Sequence, residues 1–232
     1  MRLRTGTSGF AYAEWKGSFY PEKLPAAGML AYYAQHFDTV EINNTFYRMP
    51  AEPQLRQWGD QVPEGFSFVL KAAQRITHQK RLKEVGEEWG YFSRTASVLG
   101  ERLGPILVQL PPNLKKDAER LDTFLSLVPE TQRVAVEFRH PSWLDDQVYA
   151  VLRRNGAALC CAHGELEQTA PVLATTTWGY ARLRNIEYSE AELEEWAERL
   201  AAQPWSEVYV FFKHEDAGTG PRLAASFKEV FR

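Results

Sequence analysis

Residues 134–143 read VAVEFRHPSW. Val134, Val136 and Phe138 alternate with Ala135, Glu137 and Arg139, and side chains two apart on a strand share a face. One face is apolar and suits packing against helices. The other presents Glu137 and Arg139, and the run ends at His140. The run TVEIN at 39–43 repeats the pattern, with Val40 and Ile42 set against Glu41 and Asn43. Likewise Val69 and Lys71 oppose Phe68 and Leu70, and Phe211 and Lys213 oppose Val210 and Phe212. A charge inside a strand core is costly unless paired or solvated. These strands are therefore expected to surround a shared polar interior, the axis of a barrel.

Working outward, β-like runs fall at 3–7, 39–43, 66–70, 105–110, 133–138, 157–161, 179–183 and 207–212. Their starts recur about every 30 residues, the length of one βα unit. Helical patterns occupy 26–36, 52–60, 84–100, 117–128, 143–155, 190–202 and 221–231. In the sixth, Ser189 can cap, Glu192 sits three residues on, and Leu193, Trp196, Ala197 and Leu200 form one stripe. Pro221 suits a first helical turn. The segment 162–178, with Pro171 and the Thr175–Thr177 run, reads as a loop, so the helix between strands six and seven is degenerate. Without a linker or internal repeat, the pattern predicts a single α/β domain over 1–232, a (β/α)8 TIM barrel. A doubly wound open sheet would carry a G-x-G-x-x-G fingerprint, which Gly6-Thr7-Ser8-Gly9 does not supply.

With 44% hydrophobic and 25% charged residues, the chain has a soluble globular balance that excludes a disordered tail or a coiled coil. The net charge of −3 lacks the basic excess of a duplex-DNA binder, so nucleic acid is not an expected partner. No apolar run reaches the roughly 18 residues of a membrane span. The start, MRLRTGTSGF, has no apolar signal region. Cys160 and Cys161, the only cysteines, would point to opposite faces of a strand and read as buried small side chains. A cytoplasmic protein is expected.

Barrel active sites gather at the C-terminal ends of strands. Those ends carry Glu41, Asn43 and Asn44; Lys71; Gln109; Glu137, Arg139 and His140; Arg182 and Arg184; and Lys213, His214, Glu215 and Asp216. One reading is a structural network in which Lys71, Arg139 and Arg182 neutralise the two glutamates. The other is a substrate pocket. There Glu41 and Glu137 supply acid/base chemistry, and Asn43, Lys71, Gln109, Arg139, His140, Arg182 and Lys213 hold the substrate. Gly218-Thr219-Gly220 leads into a helix start, where free N–H groups attract anions; Arg184, Gly218 and Gly220 form the expected anion site. Phe10, Tyr12, Trp15, Phe46, Tyr47 and Trp143 flank the front, as stacking surface or as core. His36, His78, His140, His163 and His214 form neither H-x-H nor H-E-x-x-H, and no cofactor is expected. A divalent metal held by Glu41, Glu137 and a histidine is the lesser alternative.

GTSGFAYAEWKGSFYP (6–21), VEINNTFYRMP (40–50), ITH (76–78), QLPP (109–112) and VAVEFRHPSW (134–143) resemble the YecE-like family, domain of unknown function 72. The resemblance spans nearly the whole chain and implies a single TIM barrel, with no established reaction. It supports Glu41, Asn43, Glu137, Arg139 and His140 as motif positions. Family members often carry an acidic residue ahead of the seventh strand and Tyr-x-Arg-x-His-Gly on it. TTTWGYARLRN (175–185) places Thr177 at the acidic position and Arg184-Asn185 at His-Gly. The expected function is acid/base chemistry on a small polar substrate, either anionic, phosphorylated compounds included, or sugar-like. The alternatives are a metal-assisted phosphoester or nucleic-acid hydrolase and a non-catalytic metabolite- or nucleotide-binding protein.

Overall fold

Eight parallel strands lie side by side in the order β1-β8-β7-β6-β5-β4-β3-β2. They are β1 (Arg2–Thr7), β2 (Thr39–Ile42), β3 (Ser67–Lys71), β4 (Leu103–Gln109), β5 (Val134–Glu137), β6 (Ala158–His163), β7 (Trp178–Leu183) and β8 (Glu207–Phe212). The structure, a computed structural model, describes residues 1–164, 170–213 and 216–231; His214 and Glu215, expected at the end of β8, lie outside them. Helices α1 (Met29–Tyr33), α2 (Glu52–Asp60), α3 (Gly86–Ala96), α4 (Ala118–Leu125), α5 (Asp146–Arg154), α6 (Glu190–Ala201) and α7 (Thr219–Val230) follow the strands in turn. Between β6 and β7 the described residues, 164 and 170–177, carry no helix. No described helix is long and apolar enough to cross a membrane.

The helices form where the sequence supplies caps and stripes. Ser189 Oγ accepts the Glu192 N–H at 3.3 Å, and the Glu192 carboxylate accepts the Ser189 N–H at 2.8 Å. This capping box opens α6, whose buried side chains are Leu193, Trp196, Ala197 and Leu200. Helix α7 begins at Thr219, two residues before the expected start, because Gly218 at φ +76° turns the chain into it. An apolar layer between strands and helices forms the outer core, including Trp143, which stacks on Phe138 at 4.8 Å. Trp15 is buried in that layer too, so both tryptophans serve as core.

A second apolar cluster fills the barrel itself: Val69, Leu107, Ala135, Cys160, Tyr180 and Phe211 among others. Strand parity thus holds, and Cys160 and Cys161 fall on opposite faces. Burial raises both thiols, Cys161 to about 12, and makes them inert. Below this layer, at the N-terminal ends of the strands, Arg4 and Arg133 each donate to Glu207 at 2.8 Å.

The seam between β1 and β2 closes differently from the others. One backbone bridge, Ser8 to Glu41, joins them. Beside it the Tyr33 hydroxyl accepts the Thr7 N–H at 2.8 Å and donates to the Thr39 carbonyl at 3.1 Å. A side chain at Gly6 would put its Cβ 2.2 Å from the Thr39 oxygen and 2.7 Å from the Tyr33 hydroxyl, so only glycine lets the seam close. The substitution Tyr33→Phe leaves two buried backbone groups unpaired. It should cost about 1–3 kcal/mol, read as a lower urea midpoint with an unchanged slope. A midpoint equal to wild type would show that the hydroxyl does not hold the seam.

Candidate functional site

At the C-terminal end of the interior, β2, β5 and β7 bring Glu41, Glu137 and Arg182 together. All three are buried, the two carboxylates completely. Arg182 lies between them: Nη2 donates to Glu41 Oε1 at 2.7 Å and Nη1 to Glu137 Oε2 at 2.6 Å. The remaining carboxylate valences are filled from neighbouring strands. Glu41 accepts from Ser8 Oγ (2.7 Å), Tyr180 Oη (2.6 Å) and Asn43 Nδ2 (3.3 Å). Glu137 accepts from Gln109 Nε2 (2.7 Å) and Arg184 Nη2 (2.9 Å), with Arg139 Nε at 4.0 Å. Of the cations expected to neutralise the two glutamates, Arg182 pairs with both and Arg139 stands 4.0 Å from Glu137, Lys71 lines the cavity above, and Arg184 joins the network.

Above this floor opens a cavity of about 510 Å³. Lys71, Arg139, Arg182, Arg184 and Lys213 line it, and among the described lining residues there is no carboxylate. Asn43 and Gln109 also reach it, with Phe46 and Tyr47 at its edge. Two carboxylates thus stand beneath five cations. Lys71 Nζ sits 4.4 Å from the Phe46 ring centroid. Burial, and then the charge of Arg182, push its ammonium down to about 8, despite opposing attraction from Glu41 and Glu137.

Not every expected residue converges here. His140 Nδ1 accepts the Ser142 N–H at 3.1 Å and caps the turn at Pro141–Trp143. Gly218 and Gly220 do not line the mouth; Gly218 packs close to Ser18 and borders a separate groove with Arg222 and Lys228. Conversely, the mouth includes His78 and Gln74, which strand parity could not reach. His78 arrives on a π-helical turn, Arg75–Gln79, whose five-residue bond runs from Lys80 N–H to the Arg75 carbonyl at 2.9 Å. Such turns recur at functional sites. The ITH segment was its one sequence signal. Burial and the neighbouring Lys71 lower the His78 imidazole. Among the described residues, no group of three or more His, Cys, Asp or Glu side chains is placed to hold a metal ion.

Removing Arg182 leaves two buried carboxylates facing each other. Arg182→Met should lose ~3–5 kcal/mol of stability, lowering Tm by about 2–4 °C per kcal/mol in a chain of this size. Calorimetric melts of the two proteins test this; equal Tm values would show that Arg182 does not carry the interior.

The whole chain can be compared with known proteins on this basis. The sequence profile described as "Protein of unknown function DUF72" matches residues 4–232. The chain is similar to UPF0759 protein YecE of Escherichia coli (strain K12), 32% identical over 112 residues, which are 48% of this chain and 41% of that protein. The chain thus spans less than half the length of that relative in the match. It is 24% identical to UPF0759 protein YunF of Bacillus subtilis (strain 168) over 241 residues, covering 87% of this chain and 86% of that one. A crystal structure of a DUF72 family protein from Thermotoga maritima superposes with a TM-score of 0.88 at 31% identity, covering 99% of this chain and 98% of that one. A DUF72 family protein from Enterococcus faecalis, 20% identical, shares the fold with a TM-score of 0.83 over 99% of this chain and 95% of that one. With a profile matched almost end to end and a barrel shared with its solved members, the chain belongs to the DUF72 family, whose function is unknown.

Proposed function

We propose that this protein is an enzyme that takes a small anionic substrate into the mouth of the barrel and moves a proton on it, with Lys71 touching the substrate. The observation that carries this reading is the convergence of five cationic side chains on one cavity, above two carboxylates that are already fully bonded. A concave, low-dielectric site lined by one sign of charge concentrates ligands of the opposite sign. Arg139 and Arg184 offer planar, forked donors suited to a carboxylate or phosphate.

Glu41 and Glu137 enter this reading in a different role from the proton carriers the sequence suggested. Each lies below the cavity with both oxygens hydrogen-bonded. They hold Arg182 and Arg184 in place against mutual repulsion. Lys71 lines the cavity, and an ammonium lowered to about 8 suits it to proton transfer. Neutral Lys71 Nζ takes a proton from a carbon or hydroxyl next to the anionic group. The guanidinium groups then face the negative charge that develops on the substrate.

Sulfate, whose charge is constant between pH 6 and pH 10, tests the binding half. Lys71 is charged below about 8 and neutral above it. Sulfate affinity should therefore fall as pH rises through that value, and Lys71→Arg should remove the inflection. Turnover should run the other way, rising with pH as Lys71 loses its proton. In a screen of small metabolites, anionic compounds should raise Tm and neutral ones should not. Lys71→Met should lower the turnover of any substrate so found by roughly 10²–10⁴-fold while the fold persists. Stabilisation by neutral or cationic compounds alone would contradict this reading.

A further inference from the structure

The cationic mouth does not end at β2. A second cavity, of about 410 Å³, shares Tyr12, Asn43 and Asn44 with it and extends between the loop after β1 and helix α2. Its chemistry is different, for among its described lining residues none is charged. Carboxamides dominate its polar part: Asn43 and Asn44 on one side, Gln54 and Gln57 of α2 on the other. Helix α2 buries little besides Leu55 and turns its glutamines to this cleft and to solvent.

Asn43 stands at the junction of the two cavities. Its Nδ2 donates to Glu41 Oε1 at 3.3 Å, which fixes the orientation of the amide. Its Oδ1 is buried and accepts no hydrogen bond. A buried acceptor without a donor is costly, and a ligand O–H placed at the junction would satisfy it. Trp58, also in the cleft, is already stacked on Phe68, with centroids 6.1 Å apart and planes at 23°. Phe10, another ring of the cleft, meets Trp58 edge-on with centroids 6.4 Å apart, so these two present no parallel pair to sandwich a nucleobase. Amides that both donate and accept match hydroxyl groups instead.

We infer that the substrate is a phosphorylated sugar or polyol, with its phosphate over the cations of the mouth and its hydroxylated part in the amide-lined cleft against α2. This inference rests on the anionic reading of the mouth and adds the identity of the neutral half. Each cavity is of a size that holds part or all of a small metabolite. Asn43 reads the hydroxyl nearest the phosphate, and Gln54 and Gln57 read those farther out.

The test is calorimetric titration with inorganic phosphate, glycerol 3-phosphate, pentose and hexose monophosphates, and the same sugars without phosphate. At least one sugar or polyol phosphate should bind about tenfold or more tightly than inorganic phosphate, the gain of a few new hydrogen bonds. The variant Gln54→Ala/Gln57→Ala changes two exposed side chains of α2 and should keep the wild-type melt. It should lose most of that advantage while binding inorganic phosphate as wild type does. Phosphate binding without any increment from a sugar or polyol, or an increment untouched in the double variant, would overturn this inference alone. Failure of wild type to bind any of the phosphates would overturn the anionic reading of the mouth, and this inference with it.

Discussion

The guanidinium of Arg182 bridges two buried glutamates across the barrel interior, and the upper half of the molecule is arranged around that bridge. Burying a carboxylate without partners is costly. A single planar fork, fixed on β7, reaches one oxygen of each. Ser8, Tyr180, Gln109 and Arg184 then fill the remaining positions from four further points on the wall. The result is a polar layer in which every oxygen of the two carboxylates is bonded, resting on the apolar layer inside the barrel.

That layer also sets the character of what lies above it. Two carboxylates hold two arginines, and further cations rise past them from β3, β5 and β8. Arg182 and Arg184 are therefore held from below, on the side away from the opening. Lys71 carries the consequence most directly: largely withdrawn from water, and then crowded by Arg182, it gives up its proton more readily than a surface lysine. The scaffold that stabilises the barrel is thus the same one that tunes its mouth.

Much of this was legible in the sequence because strand periodicity is strict. VAVEFR and TVEIN place their acidic residues on the inner face whatever the neighbours do, and the eight runs fall on the eight strands. The capped stripe at 190–201 is equally local. What escaped reading was non-local. Tyr33 belongs to a short apolar helix pattern, and nothing in that pattern says its hydroxyl closes a seam between β1 and β2. Gln54 and Gln57 look like the solvated face of an ordinary helix until the loop after β1 is brought opposite. Gly218 and Gly220 were read with the strand-seven and strand-eight cations because they are near in sequence. In three dimensions Gly218 borders another groove, since the turn there packs against Ser18. His78 depended on a π-helical turn, which has no repeating sequence signal.

The central claim is that the anchored cations form an anion site at the mouth. Anomalous diffraction from crystals of the protein soaked in tungstate tests it most directly. The account predicts a tungsten peak within the mouth, its oxygens in hydrogen-bond reach of Lys71 and of Arg139 or Arg184. A mouth empty of tungsten, with the anion seated instead in the groove beside Gly218 and Arg222, would contradict it.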